Sequence, residues 1–330
     1  MVSLTERSSE GSSTLKGLGR RSLLGLALLM AVALAPKTGW ACACGCGVFD
    51  VGTGLMLPEG AGGMVYVNYD YQDQNHNWSG ISSAPNANND DKEIRTHFVT
   101  VGLQYMFDRS WGVQVEVPYD ERHFKTTGGA SGTDIVAANW SSLGDIRVKG
   151  IYTGFSEDMT SGVTFGFKLP TGDYTHDNAV VNIDRDTQLG SGSTDILVGG
   201  FHRGNLPGNN GLTWFAQVEL DLPVAMRNDY RPGIELDAAA GIYYKGWFVR
   251  SVKITPVAQV IGSERTSDEG ANAAHPVASG YQRILLSPGI EFDMHPVSVY
   301  ADVEVPVFQD FRGNQVVAPW LLKASVSYHF

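Results

Sequence analysis

The chain closes on a segment that alternates residue by residue. From Pro319 onward, one parity carries Trp320, Leu322, Ala324, Val326, Tyr328 and Phe330. The other carries Pro319, Leu321, Lys323, Ser325, Ser327 and His329. Successive side chains of a strand point to opposite faces, so this segment has one apolar, aromatic face and one largely polar face. It is long for a strand of a soluble sheet and suits a tilted strand crossing a bilayer. The alternative is an ordinary amphipathic edge strand, and the rest of the chain decides against it by repeating the pattern.

About twelve alternating stretches follow one another near 63–72, 93–107, 111–125, 142–155, 160–169, 191–204, 211–222, 231–245, 247–262, 279–293, 296–308 and 315–330. Val163, Phe165 and Phe167 share one parity, as do Trp214, Ala216, Val218 and Leu220, and Val297, Val299, Ala301, Val303 and Val305. A soluble sandwich also alternates, so the connections discriminate. Long ones (73–92, 126–141, 170–190, 223–230, 263–278, 309–314) take turns with short ones such as Asp108-Arg109-Ser110, Lys245-Gly246 and Met294-His295. Outer-membrane barrels have short periplasmic turns and long outer loops. Phe107, Trp111, Tyr244, Trp247, Phe292, Tyr328 and Phe330 cluster beside the short turns, as an interfacial aromatic belt requires. The expected fold is all-β: a single antiparallel transmembrane β-barrel of about twelve strands in the cell outer membrane. Lipid cannot satisfy open strand edges, so the first and last strands must pair. Pro256, Pro288 and Pro306 fall inside expected strands, where each removes a ladder donor and marks a bulge or a strand limit.

The N-terminus reads as a targeting segment. Lys16, Arg20 and Arg21 form a basic region, Leu23 to Ala35 an apolar run too short to span comfortably, and Ala41 or Ala43 can end the signal. Arg20-Arg21 admits twin-arginine export, but Ser22-Leu23-Leu24 departs from that consensus and favours a plain basic region. The expected organisation is a signal peptide over 1–41, a Cys-rich periplasmic segment or plug over 42–62 and the barrel over 63–330. A net charge of −11 disfavours a nucleic-acid partner.

Alternation puts a set of charges on the inner face: Glu116, Asp145, Arg147, Lys149, Glu219, Asp221, Asp237, Arg283, Glu291, Asp302 and Glu304. Opposite charges there can pair and fill the barrel, or they can set the selectivity of a channel. Acids outnumber bases, which leans toward cations. All three cysteines, Cys42, Cys44 and Cys46, lie in one short stretch. On alternate residues they can face one way and hold a soft metal ion such as Cu(I) or Zn(II), with a disulfide or a lipid on Cys42 as the plainer readings. No other cofactor is expected. The loops 170–190 (Asp173, Asp177, Asp184, Asp186) and 70–93 (Asp70, Asp73, Asp90, Asp91, Glu93) are acidic enough for Ca²⁺, but neither has a defined ligand spacing, which favours solvated loop charge. His97 and His123 are isolated, no His-x-Ser arrangement accompanies them, and enzyme activity is not expected.

Several short motifs, in order, resemble one family. They are Val115-Glu116-Val117-Pro118-Tyr119, Ser142-Leu143-Gly144-Asp145-Ile146-Arg147-Val148, Leu169-Pro170-Thr171-Gly172-Asp173, Gly192-Ser193-Thr194-Asp195-Ile196 and Pro306-Val307-Phe308-Gln309-Asp310. Together they resemble the outer-membrane β-barrel proteins associated with the meta-pathway of phenol degradation, labelled simply as transporters. The resemblance spans about residues 60–330 and implies a barrel that passes a small solute, with no substrate specified. The ending on Phe330 resembles the C-terminal strand of bacterial outer-membrane barrels, which implies recognition by the barrel-assembly machinery. The other readings are a soft-metal-binding barrel acting through the cysteines and a structural barrel supporting a partner.

Overall fold

Alternation along the strands closes into a twelve-stranded antiparallel barrel. The computed structural model describes residues 57–58, 60–128, 132–178, 181 and 183–330. The strands run in order as β1 (Gly62–Gln74), a small hairpin of β2 (His76–Gly80) and β3 (Ser82–Ser83), β4 (Asp91–Met106) and β5 (Trp111–Gly128). Next come β6 (Asp134–Leu143), β7 (Arg147–Tyr152), β8 (Ser161–Lys168), β9 (Thr194–Leu206), β10 (Asn209–Ala225) and β11 (Glu235–Tyr244). The circuit ends with a short β12 (Trp247–Val249), β13 (Val252–Arg265), β14 (Tyr281–Asp293), β15 (Val297–Val317) and β16 (Leu321–His329). Going round, the wall is β1, β4, β5, β7, β8, β9, β10, β11, β13, β14, β15 and β16, and β16 pairs back onto β1 from Met64↔His329 to Gln72↔Leu321. Closure leaves the wall no lipid-exposed edge over the span.

The outward face is apolar. Val65, Val67, Val101, Leu103, Val163, Phe165, Val218, Leu286 and Val326 all project from the wall. At the turn end a ring of exposed aromatics includes Phe107, Trp111, Tyr244, Trp247, Tyr328 and Phe330. At the other end Tyr71 packs on Trp320 at 5.6 Å between ring centroids. The ten residue steps from Trp320 to Phe330, at about 3.4 Å each and tilted roughly 40°, place the rings about 25 Å apart, the height of an outer-membrane apolar band.

Two stretches expected as loops are strand instead. Residues 126–141, expected as a loop, hold most of β6, which pairs with the upper part of β5. Its outward face carries Ile135, Ala137, Asn139 and Ser141 and its inward face Val136, Ala138, Trp140 and Ser142, so neither parity is cleanly apolar and the strand does not announce itself. Residues 309–314, expected as an outer loop, continue β15, whose upper part pairs with β2. The real connection to β16 is the short 318–320. Pro306 sits at a register shift against β14, whereas Pro256 and Pro288 hold regular register with Ile290 and Ala258.

Among the described residues, the wall is interrupted between β6 and β7, where Gly144-Asp145-Ile146 belong to neither strand. Below the break β7 pairs with both β5 and β8; above it β6 pairs with β5 alone among the described strands.

Candidate functional site

The inner face is polar, and its charges form local pairs. Lys149 stands between Glu116 (3.3 Å) and Glu219 (3.2 Å) across the barrel. Tyr66 donates its hydroxyl to Glu116 Oε1 at 2.8 Å, and Gln114 supports both. One step outward, Lys168 is held between Asp195 and Asp221, the latter at 2.7 Å. We term these two clusters, neighbours through Glu219 and Asp221 on β10, the waist. On the opposite wall Asp302 accepts from Tyr300 at 2.7 Å and from Gln259 at 3.3 Å. There Arg283 lies over the Tyr281 ring at 5.1 Å, Glu304 is fully buried, and Asp237 is buried on β11. Glu291 lies half-buried near the periplasmic end of β14. Phe215, Tyr243, Val257 and Tyr300 pack together inside that half of the barrel, so it is filled rather than open.

Asp145 does something other than line a pore. It sits at the wall break and clamps both stems of the loop between β8 and β9. Its Oδ1 accepts from the Gly172 amide at 2.9 Å, and its Oδ2 accepts from the Ser191 amide at 2.8 Å and the Ser191 hydroxyl at 2.5 Å. The stems themselves meet at two glycines: a Cβ on Gly190 would stand 2.4 Å from the Gly172 carbonyl carbon, so only glycine allows this neck. Beyond the neck the loop folds into the outer mouth. Arg122, nearly fully buried on β5, donates to the carbonyls of Thr187 (2.6 Å) and Gln188 (3.2 Å) and to Thr96 Oγ1 (2.9 Å). Arg185 donates to the carbonyls of Tyr174 and Ser191 and lies between the Tyr174 and Tyr230 rings. Val181, Ile183 and Leu189 then bury against Ile94, Phe124, Ala138 and Trp140 of the wall. The loop is a plug, pinned by buried hydrogen bonds and an apolar underside.

The plug divides off an outer cavity of about 210 Å³, lined by Glu116, Asp120, Arg122, Asp145, Arg147, Lys168, Asp221, Glu235, Arg265 and the loop. A second cavity of about 80 Å³ lies on the periplasmic side, lined by Leu57, Pro58, Tyr66, Gln114, Glu116, Lys149, Phe201 and Glu219. Glu116 borders both. The periplasmic cavity is closed below by the segment preceding β1, where Arg203 donates to the Pro58 carbonyl at 2.8 Å and Leu57 packs against Met106, Ile151, Met159 and Phe201. Cys42, Cys44 and Cys46 lie outside the described residues.

The outer loops hold their acids in protein contacts. Asp184 faces His275 at 3.5 Å, Asp173 caps the Thr175 amide, and Glu93 pairs with Lys125 at 2.5 Å. Among the described residues no group of three His, Cys, Asp or Glu side chains is placed to hold a metal ion. His97 bonds the Tyr69 hydroxyl and His123 bonds Asn139. Ser161 and His202, far apart in sequence, share a 2.6 Å hydrogen bond, with Trp214 against the imidazole at 5.0 Å. No sequence signal marks that pair. Asp120 and Arg122, by contrast, share the parity of Gln114 and Glu116 and were within reach of the alternation.

The Asp184–His275 contact ties the plug to the loop between β13 and β14. Its hydrogen bond to Asp184, with Asp186 and Asp91 nearby, holds the His275 imidazole above its ordinary value. Protonation is thus favoured in the folded state. The stabilisation is complete below the unfolded value of about 6.5 and fades as pH rises through the raised value. Hydrogen exchange in 173–189, corrected for intrinsic rates, is expected to speed up from pH 6 to pH 8. In His275→Ala that pH dependence should weaken; an unchanged profile contradicts the tie.

No protein-family model matches the sequence, and no curated protein sequence matches it. Solved structures do share the fold. An outer-membrane channel from Pseudomonas putida F1 superposes with a TM-score of 0.61 at 12% identity, over 83% of this chain and 97% of that one. The β-domain of the Bordetella autotransporter BrkA does so with a TM-score of 0.50 at 14% identity, over 82% of this chain and 100% of that one. At such identities the likeness is one of fold: this chain has the fold of the outer-membrane β-barrels.

Proposed function

We propose that the barrel passes a small solute across the outer membrane through its lumen, with the β8–β9 loop as outer plug and the segment before β1 as inner closure. The observation that carries this reading is the pair of cavities meeting at Glu116. Displacing the Lys149 ammonium from Glu116 and lifting the plug would join them into one path. The lining acids of the outer cavity outnumber its cations, which favours cationic solutes. The resemblance to phenol-pathway transporters supports transport and supplies no substrate. The P. putida channel supports the same class through its fold.

The test is solute flux into proteoliposomes carrying the mature protein. Flux of small solutes, with a preference for cations and exclusion of oligosaccharides, is the expected result. A correctly folded barrel with no flux of any small solute overturns the proposal and favours a structural barrel.

A further inference from the structure

Asp120 is a carboxylate of the outer cavity that the protein leaves without a donor. It stands on β5, 5% exposed, between the inward-facing Pro118 and Arg122, and it lines the cavity. Its Oδ1 is buried and accepts no hydrogen bond, and no ion pair reaches it from the described residues. The other acids there each have at least one donor or ion pair, although Glu116 Oε2 and Asp221 Oδ1 accept no hydrogen bond either; Asp70 faces Lys323 at 3.7 Å. Glu116 has Tyr66, Gln114 and Lys149; Asp145 has Gly172 and Ser191; Asp221 has Lys168; Glu235 has Tyr281 at 2.6 Å. Arg122, Arg147 and Asp145 are the charged neighbours of Asp120, and none of them bonds it. Arg122 is spent on the plug carbonyls and Thr96, Arg185 on Tyr174 and Ser191, and Arg265 on Asp268 at 2.6 Å.

A buried carboxylate with no donor is unfavourable unless something in the cavity satisfies it. The space beside it is kept open by a glycine: a Cβ on Gly144 would stand 2.9 Å from Asp120 Oδ2. The cavity is far larger than the ~10–15 Å³ a single water needs. Phe98, the cross-strand neighbour of Asp120 on β4, lines it as well, with Leu189 and Tyr230, so the anion shares the cavity with apolar and aromatic side chains. That combination suits a cation with an organic body better than a hydrated metal ion. We propose that the outer cavity is a subsite for a small organic ammonium ion, with Asp120 as its counter-ion and Phe98 and Tyr230 as the wall for its apolar part. This rests on the transport reading above and names its substrate class.

The experiment is calorimetric titration of the refolded protein with 2-phenylethylammonium chloride and, separately, with the neutral 2-phenylethanol. Wild type should bind the ammonium saturably and at least about tenfold more tightly than the alcohol, and Asp120→Asn should lose that preference. Equal binding of the two probes by wild type, or an unchanged ammonium affinity in Asp120→Asn, overturns the subsite. Gly144→Ala, which crowds the carboxylate but keeps its charge, is expected to weaken ammonium binding severalfold and stands in if Asp120→Asn fails to fold; unchanged affinity there counts against the subsite. Flux in proteoliposomes separates the two claims. Asp120-dependent binding without flux leaves the subsite standing and sinks the transport reading. Ammonium flux that is indifferent to Asp120→Asn does the reverse.

Discussion

Replacing Asp145 with alanine is expected to turn a closed barrel into a leaky one, raising the mean ion current of the protein in a planar bilayer by at least severalfold. The carboxylate holds three donors, two on one stem of the plug and one on the other. Hydrogen bonds to a charged acceptor are worth about 1.5–3 kcal/mol each, and the three share one buried anchor. Even ~3 kcal/mol lost from the closed state shifts a two-state loop by about two orders of magnitude. Arg122 and the apolar cluster around Ile183 and Leu189 still favour the plugged position, so the variant should flicker rather than stay open. Asp145→Asn keeps one acceptor oxygen and should fall between the two. Currents of the alanine variant indistinguishable from wild type would mean that the stems need no clamp.

The second large effect falls on stability. Lys168 is the cation between Asp195 and Asp221, and Asp195 is fully buried. Lys168→Met leaves two neighbouring carboxylates in the lumen with no cation between them. Breaking a buried ion pair from one side costs about 3–5 kcal/mol, mostly through the charge left behind. The urea midpoint of the refolded barrel in vesicles should drop accordingly. Neutralising the partners as well, in Lys168→Met/Asp195→Asn/Asp221→Asn, should recover most of the loss, because the stranded charge is the cause. A single variant as stable as wild type would mean that water or a mobile ion already screens this cluster.

The strand count and the sidedness of the wall were legible because lipid imposes a rule on every second residue. Val163, Phe165 and Phe167 cannot face the lumen while Lys168 does, so parity alone orients β8. That rule weakens above the membrane, where both faces are wet: β6, with Asn139 and Ser141 outside and Trp140 inside, carries a mixed pattern and reads as loop. The plug was illegible for a different reason. Its anchors join Asp145 to Gly172 and Ser191, and Arg122 to Thr187 and Gln188, across long sequence separations, and no local periodicity encodes such contacts. Asp145 shows the cost of reading a position from parity alone. It lies inside, yet its carboxylate is committed to the loop stems rather than to the lumen wall. The pairing of Lys149 with Glu116 and Glu219 likewise needs the closed circuit, since three separate strands bring them together.

The most direct test of the central account is to excise the plug. Gly190 already donates its amide to the Asp173 carbonyl at 2.8 Å, so residues 174–189 can be replaced by a two-residue Asn-Gly turn without parting the stems. Single-channel recording of the intact and excised proteins in a salt gradient then reads gate and selectivity together. The intact barrel is predicted to be mostly closed, and the excised one persistently open with a cation-selective reversal potential. Two equally silent barrels, both folded, would contradict the account by making the side chains of the waist the barrier; two equally open ones would show that the loop gates nothing.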